Sequence, residues 1–269
     1  MASIVRRSVE SFRFPRPFLD YSVERRSMVR RGTTYAGWWF EPSPGLEGGL
    51  VVSAGAGEDI SFDVALASEF QASVIIIDPT PRAVDHVEAV LQRVGQAPTG
   101  TFCPGGKQDP TAYDLSRVQT EQIQLLRFAL WNQDADLRFH PPLNPDHVSY
   151  TVENWRREPS ADSPAPLHVE GRRLSTLLSP AQTSRIELLK IDIEGAEIEV
   201  LHDILGAGLR PNQILVEFDQ LSRPTADHRK RAKGALRALA AAGYYLAHRE
   251  ALNFSFVQAE FAAVRTVHH

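Results

Sequence analysis

The sequence predicts an α/β fold: a mainly parallel sheet, antiparallel at its C-terminal edge, with helices on both faces. Three observations predict it. From Gly49 onward, short apolar runs alternate with segments of helical periodicity, joined by short connections. The run Ser73-Val-Ile-Ile-Ile-Asp78 is β-branched on both pleat faces, as a parallel strand covered on both sides must be. The chain then closes with helix, strand, turn and strand, which places an antiparallel hairpin at one edge.

The elements follow in order. Residues 33–40, Thr-Thr-Tyr-Ala-Gly-Trp-Trp-Phe, are aromatic and β-prone and predict a strand or short hairpin ahead of the main fold. They belong to an N-terminal extension, 1–48, before a main domain of 49–269. Leu50-Val-Val-Ser53 is a short buried strand, and Phe62, Ala65, Leu66 and Phe70 share one face of the next helix. After the strand at 73–78, a helix carries Val84, Val87, Leu91 and Val94 and stops at Gly95. Residues 97–120, rich in Pro, Gly and Thr, read as an irregular insertion, and 159–166 as a surface loop. Strands are expected at 123–131, 135–140, 188–192 and 213–218. A helix with Ile198, Leu201 and Leu205 inward follows 188–192, and an alanine-rich helix spans 229–242. Strands at 244–249 and 254–258 end the fold.

Composition narrows the function classes. A net charge of −4 gives no global pull toward nucleic acid or membrane. No apolar run is long enough to span a bilayer, and the single cysteine, Cys103, excludes an internal disulfide. A cytoplasmic protein is expected, with a small-molecule or glycan partner, and a homo-oligomer is left open. The arginine-rich segment 1–31 lacks the apolar core of a secretory signal and reads as a solvated or partly docked extension.

The chemistry begins at Ser53-Ala54-Gly55-Ala56-Gly57-Glu58-Asp59. Two glycines between a strand and a helix let backbone approach a ligand closely. The third glycine of a dinucleotide fingerprint would fall at Ile60 and is absent, which disfavours a pyrophosphate and hence a Rossmann-type NAD-dependent oxidoreductase. Asp78 ends the second strand about twenty residues on, where an acid accepts ribose hydroxyls. S-adenosylmethionine has no phosphate and suits this pattern. The plainer reading makes the glycines a tight turn and Asp78 a helix cap.

The block Leu188-Leu-Lys-Ile-Asp-Ile-Glu-Gly-Ala-Glu-Ile-Glu-Val-Leu201 closely resembles the signature of FkbM-type methyltransferases. Gly57-Glu-Asp-Ile-Ser-Phe-Asp63, Asp78-Pro-Thr-Pro-Arg82, and Leu130-Trp131 followed by residues 137–149 resemble the same family in the same order. The resemblance covers roughly 50–220. It implies a Rossmann-like class I methyltransferase sheet, S-adenosylmethionine as donor, and a hydroxyl acceptor on a sugar, glycan or natural product. The cofactor contacts it implies are Ser53, Ala54, Gly55, Gly57, Glu58, Asp59, Ser61, Asp78, Pro79 and Asp192. Many members carry an acid where Ser53 stands and a glycine near Asp59, so the cofactor's amino group here relies on main chain or on Glu58 and Asp59. Where relatives place an acid for the adenine amino group, this chain has Trp131, which can stack, and Asn132, which can accept.

Methyl transfer is an in-line displacement that needs positioning and, for a hydroxyl acceptor, a base or metal nearby. Lys190, Asp192 and Glu194 alternate, so a persisting strand puts all three on one side. Asp192 and Glu194 can bind the methionine amine or act as base, and His147 has a titration range suited to a base. Glu194 can equally cap the following helix, and Lys190 can simply pair with the acids. Asp192 and Glu217 could make an oxygen-ligand magnesium site, but a third ligand is not recognisable, so a divalent metal is left open and not predicted. Trp38 and Trp39 can cover the cofactor, bind a sugar face or pack in the core. A non-catalytic adenosylmethionine-binding module is the remaining alternative.

Overall fold

The computed structural model describes residues 27–140, 150, 165–183, 185–222 and 224–259. Its centre is a seven-stranded sheet. The strands are β3 (Leu50–Ala54), β4 (Ser73–Ile77), β5 (Ile123–Leu126), β9 (Ile186–Ile191), β10 (Gln213–Glu217), β11 (Tyr244–Glu250) and β12 (Asn253–Gln258). Their order is β11-β12-β10-β9-β3-β4-β5. Neighbours from β10 to β5 run parallel. β12 is antiparallel to both β10 and β11. The expected parallel sheet with a reversed C-terminal strand is therefore present. β3 and β9 are neighbours although far apart in the chain, so strand order switches direction between them, where such sheets open a ligand crevice.

Alternate residues feed two cores. Val52, Ala54, Ile75 and Ile77 face one layer, with helices α5 (Glu197–Gly206) and α6 (Ala226–Ala241). Val51, Val74 and Ile76 face the other, with α1 (Ser61–Phe70) and α2 (Pro81–Leu91). A strand buried on both faces has no polar position to alternate with, which explains the unbroken apolar run at 74–77. Side-chain capping starts α6 earlier than expected: Thr225 Oγ1 accepts from His228 N at 3.1 Å.

Two expectations need correction. Residues 123–131 are not one strand. β5 stops at Leu126, and β6 (Ala129–Leu130) joins a separate three-stranded sheet with β7 (Ala135–Phe139) and β8 (Leu167–Arg172). Between them Arg127 pairs with Glu88, and Phe128 lies under the Arg172 guanidinium at 5.5 Å, diverting the chain. The alternation Leu-His-Val-Glu in β8 is a legible strand signal that the expected strands omit. Short helices α3 (Leu174–Leu177) and α4 (Pro180–Thr183) then lead back to β9.

At the N-terminal end, β1 (Val29–Arg31) pairs with β2 (Trp38–Phe40), so residues 33–37 form the connecting turn rather than strand. Trp38, Phe40 and Leu46 share the core that contains α1. Gln213 brackets the main chain of Glu41 with bonds of 2.9 and 2.7 Å, and Ser255 Oγ donates to Trp39 O at 2.6 Å. These bonds fasten the hairpin to β10 and β12. Of the arginine-rich segment, Arg30 and Arg31 are described, and 1–26 lie outside the described residues, as do most residues of the loop at 159–166.

Candidate functional site

The carboxyl ends of β3, β4 and β9 open into a cleft. Its floor is the glycine loop. Gly55 has φ +87°, and a Cβ built there would sit 1.7 Å from the carbonyl oxygen of Asp192. Only glycine satisfies both the left-handed backbone and that close approach. Lys190, 5% exposed, donates from Nζ to Gly55 O at 2.6 Å and stands 3.9 Å from Asp192 Oδ2. It also lies over the Trp38 ring, 5.8 Å from the centroid. Lys190 thus clamps the loop to β9 and offsets the charge of Asp192.

Asp78 holds the loop from the other side. Its Oδ2 accepts from Ala56 N at 2.9 Å and Gly57 N at 3.4 Å. Its Oδ1 accepts from Thr80 N at 2.8 Å and Thr80 Oγ1 at 2.7 Å. The loop amides therefore face a carboxylate rather than an open phosphate-sized cradle. Asp59 is equally engaged. Its Oδ2 accepts from Thr33 Oγ1 at 2.6 Å and Gln108 Nε2 at 3.2 Å, joining the hairpin turn and the 97–120 insertion to the loop.

The cleft has two chemical ends. Ile77, Pro79, Ala129, Leu130, Phe139 and Ile193 supply an apolar wall. Asp192 and Glu194 supply acid, and Tyr35 and Tyr150 also line it. Tyr35 is 67% exposed, and its ring rests against the Cα of Gly106. Burial and the charges of Glu194, Asp192, Glu217 and Asp59 raise its phenol above the ordinary value.

Of the residues singled out in the sequence, Gly55, Gly57, Asp59, Asp78, Pro79, Lys190, Asp192 and Glu194 line the cleft. Ser53, Ala54, Glu58, Ser61, Trp131 and Asn132 are not among its lining residues. Ser53 and Ala54 are fully buried, their side chains turned to opposite faces of β3. Glu58 pairs with Arg82 at 2.5 Å, and Ser61 Oγ accepts from Thr33 N at 2.8 Å. Trp131 packs against the two clusters beneath β6, and the Oδ1 of Asn132 is buried. Trp38 is core, and Trp39 lies against His248 with ring centroids 4.7 Å apart. His147 lies outside the described residues.

The expected alternation of Lys190, Asp192 and Glu194 fails after Asp192. β9 ends at Ile191, and Glu194 adopts a left-handed φ of 58°. The N-cap of α5, Ala196, has no side-chain cap, and the first helical residue, Glu197, reaches back to the loop before it. Its Oε1 accepts from Ile193 N at 3.2 Å and Gly195 N at 2.9 Å. The aromatic lining from Tyr35, Phe139 and Tyr150 was missed, because local pattern does not say which loops overhang a sheet edge. Among the described residues, no group of three or more His, Cys, Asp or Glu is arranged to hold a metal ion.

Glu197 is fully buried, and burial, with Asp219 and Asp192 nearby, pushes its carboxyl well above 4.5. Such a group stabilises the fold fully below its unfolded value and ceases to as pH rises through its folded value. Glu217 and Asp63 are raised in the same direction. Asp109, Asp114 and Asp134 are lowered below 3.8 and act oppositely, but only in stronger acid. Burial lowers His86 and His248 below 6.5, and these oppose the carboxyls between about pH 5 and neutrality, so the share of Glu197 is read as a difference between two proteins. Glu197→Gln keeps an acceptor oxygen for both amides, and its melting temperature should gain on the wild type as pH rises through this range. Calorimetry on both proteins checks it, and a difference that does not grow with pH contradicts the assignment.

The FkbM methyltransferase domain model matches residues 20–246. No curated protein matches the chain. Among solved structures, the chain is similar to a single-substitution mutant of the 16S rRNA (adenine(1408)-N(1))-methyltransferase from Catenulisporales acidiphilia, at 12% identity over 85% of this chain and 95% of that chain, with a TM-score of 0.33. A likeness at that score bears on neither site nor substrate.

Proposed function

The chain belongs to the FkbM methyltransferase family, and from that premise we propose that it transfers a methyl group from S-adenosylmethionine to a hydroxyl oxygen of a sugar, glycan or natural product. The observation that carries the cofactor reading is the engagement of the loop amides by Asp78. A carboxylate where a dinucleotide's pyrophosphate would need donors repels that ligand and leaves room for one without phosphate. The lining fits the rest. The apolar wall suits a nucleobase, Asp78 can accept from a ribose hydroxyl by giving up its long bond from Gly57 N, and Asp192 and Glu194 suit an ammonium group.

Bound there, the cofactor supplies a methyl carbon activated by a positively charged sulfur. The protein's part is placement and proton handling. The Gly55–Asp192 contact and the Lys190 clamp keep the loop and the end of β9 in one geometry. Asp192 and Glu194 stand where a proton released from a hydroxyl acceptor can be taken up, and His147 is kept as a candidate base. Acidic lining favours neutral or cationic acceptors over anionic ones. No helix among the described residues is long and apolar enough to cross a membrane, which suits an acceptor met in water.

Titration calorimetry with S-adenosylhomocysteine and NAD separates the readings: tight binding of the first and none of the second is expected, and the reverse outcome defeats the cofactor assignment. Asp192→Asn is expected to weaken S-adenosylhomocysteine about tenfold, the effect of losing one charge-assisted bond, and to abolish methyl transfer without unfolding the protein. Undiminished activity would make Asp192 structural. Transfer of radiolabelled methyl from the donor to nitrogen rather than oxygen in an acceptor screen would refute the hydroxyl specificity.

A further inference from the structure

Glu217 is a half-buried carboxyl at the sheet edge that the reaction above does not use. It closes β10, while Asp192 directly follows β9. Val216 pairs with Ile191 in the parallel ladder, so Glu217 and Asp192 take the next two places, one strand spacing apart. Residues in register on parallel strands point to the same face. Here that face carries Lys190 and Leu215, which are register partners, and lies on the side of the docked hairpin. Asp192 lines the cleft, and Glu217, which is not among the lining residues, takes the place next to Asp192 by strand register.

Acids from several elements bear on Glu217: Asp192, Glu194 from the loop after β9, Glu197 from the start of α5 and Asp219 after β10, while the Tyr35 phenol stands over the same region from the hairpin turn. Among the described residues, Lys190 is a cation beside the pair, bonded to Gly55 O and paired with Asp192. A largely covered carboxyl one strand spacing from another carboxylate resists ionisation. Burial and the charges of Asp192 and Glu194 raise the Glu217 carboxyl well above its ordinary value, which places the retained proton on its side.

We propose that Glu217, one strand spacing from Asp192, holds its proton in the unliganded protein, and that a ligand bringing an ammonium group into the cleft beside Asp192 expels it. The carboxyl O–H bond breaks, the proton passes to solvent buffer, and the resulting pair of carboxylates is balanced by the ammonium. Glu217 acts through Asp192 and is a positioning residue. It sets the charge that Asp192 presents, and it makes ligand affinity rise with pH until the proton is gone. This rests on the S-adenosylmethionine reading above.

Calorimetry in buffers of different ionisation enthalpy, from mildly acid to mildly alkaline pH, tests it with two probes. S-adenosylhomocysteine carries the ammonium, and 5′-methylthioadenosine lacks it. The first should release about one proton at the pH of greatest release and bind about tenfold tighter per pH unit below it. The second should release none. Glu217→Gln should abolish the release and flatten the affinity profile, and Asp192→Asn should abolish the release too, which keeps the test open should one variant fold poorly. Binding of S-adenosylhomocysteine with an enthalpy independent of buffer, or release that persists in Glu217→Gln, overturns the proposal. No binding of S-adenosylhomocysteine at any pH overturns the cofactor reading first, and this one with it.

Discussion

Gly55→Ala is expected to destabilise the protein by about 3–5 kcal/mol and to abolish binding of S-adenosylhomocysteine. Two penalties add. The backbone at φ +87° costs a side chain of L configuration roughly 1–2 kcal/mol by itself. The new methyl would also lie 1.7 Å from a carbonyl oxygen, so Gly55 and Asp192 must part. Parting them pulls Asp192 out of place and strains the Lys190 bond to Gly55 O. Gly95→Ala is the control. Its φ of +83° is similar, but nothing lies within 4 Å of the added Cβ, so it should lose only the backbone share. Urea unfolding measures both. Equal losses in the two variants would show that the Gly55–Asp192 contact carries no energy.

Asp78→Ala is expected to cost about 2–4 kcal/mol in stability and to weaken S-adenosylhomocysteine by about 1–3 kcal/mol, or roughly fivefold to 150-fold. Asp78 is 6% exposed, and its removal leaves Ala56 N, Thr80 N and Thr80 Oγ1 without their acceptor. Unmet buried donors account for the stability loss, and the missing ribose acceptor for the affinity loss. Asp78→Asn should fall between, because its amide keeps one acceptor oxygen where two sets of donors converge. Thermal melts and titration calorimetry report the two losses separately. Full affinity in a folded Asp78→Ala protein would remove Asp78 from the ligand's surroundings and leave it only the loop to hold.

The site was partly legible because some of its demands are local. Gly55 and Gly57 announced a turn, and Lys190 and Asp192 sat at the end of an apolar strand. Glu58, Ser61 and Asn132 were expected at the ligand from the family resemblance, yet a place in a motif does not reveal what else competes for a side chain. Arg82, brought in by α2, draws Glu58 aside, and the main chain of Thr33 engages Ser61. Asp59 reaches the cleft but serves chiefly to join three segments.

By itself, the sequence determined most of the strands and helices and the glycine loop. Strands buried on both faces require apolar runs, amphipathic helices require their own period, and a left-handed turn under a packed strand requires glycine. Only the tertiary structure decided which side chains meet. Strand order sets Glu217 beside Asp192, the bonds of Gln213 and Ser255 dock the hairpin, and that docking carries Tyr35 over the cleft. Those pairings join segments distant in the chain, and the free energy that selects them comes from packing whole elements together, which no short stretch of sequence records.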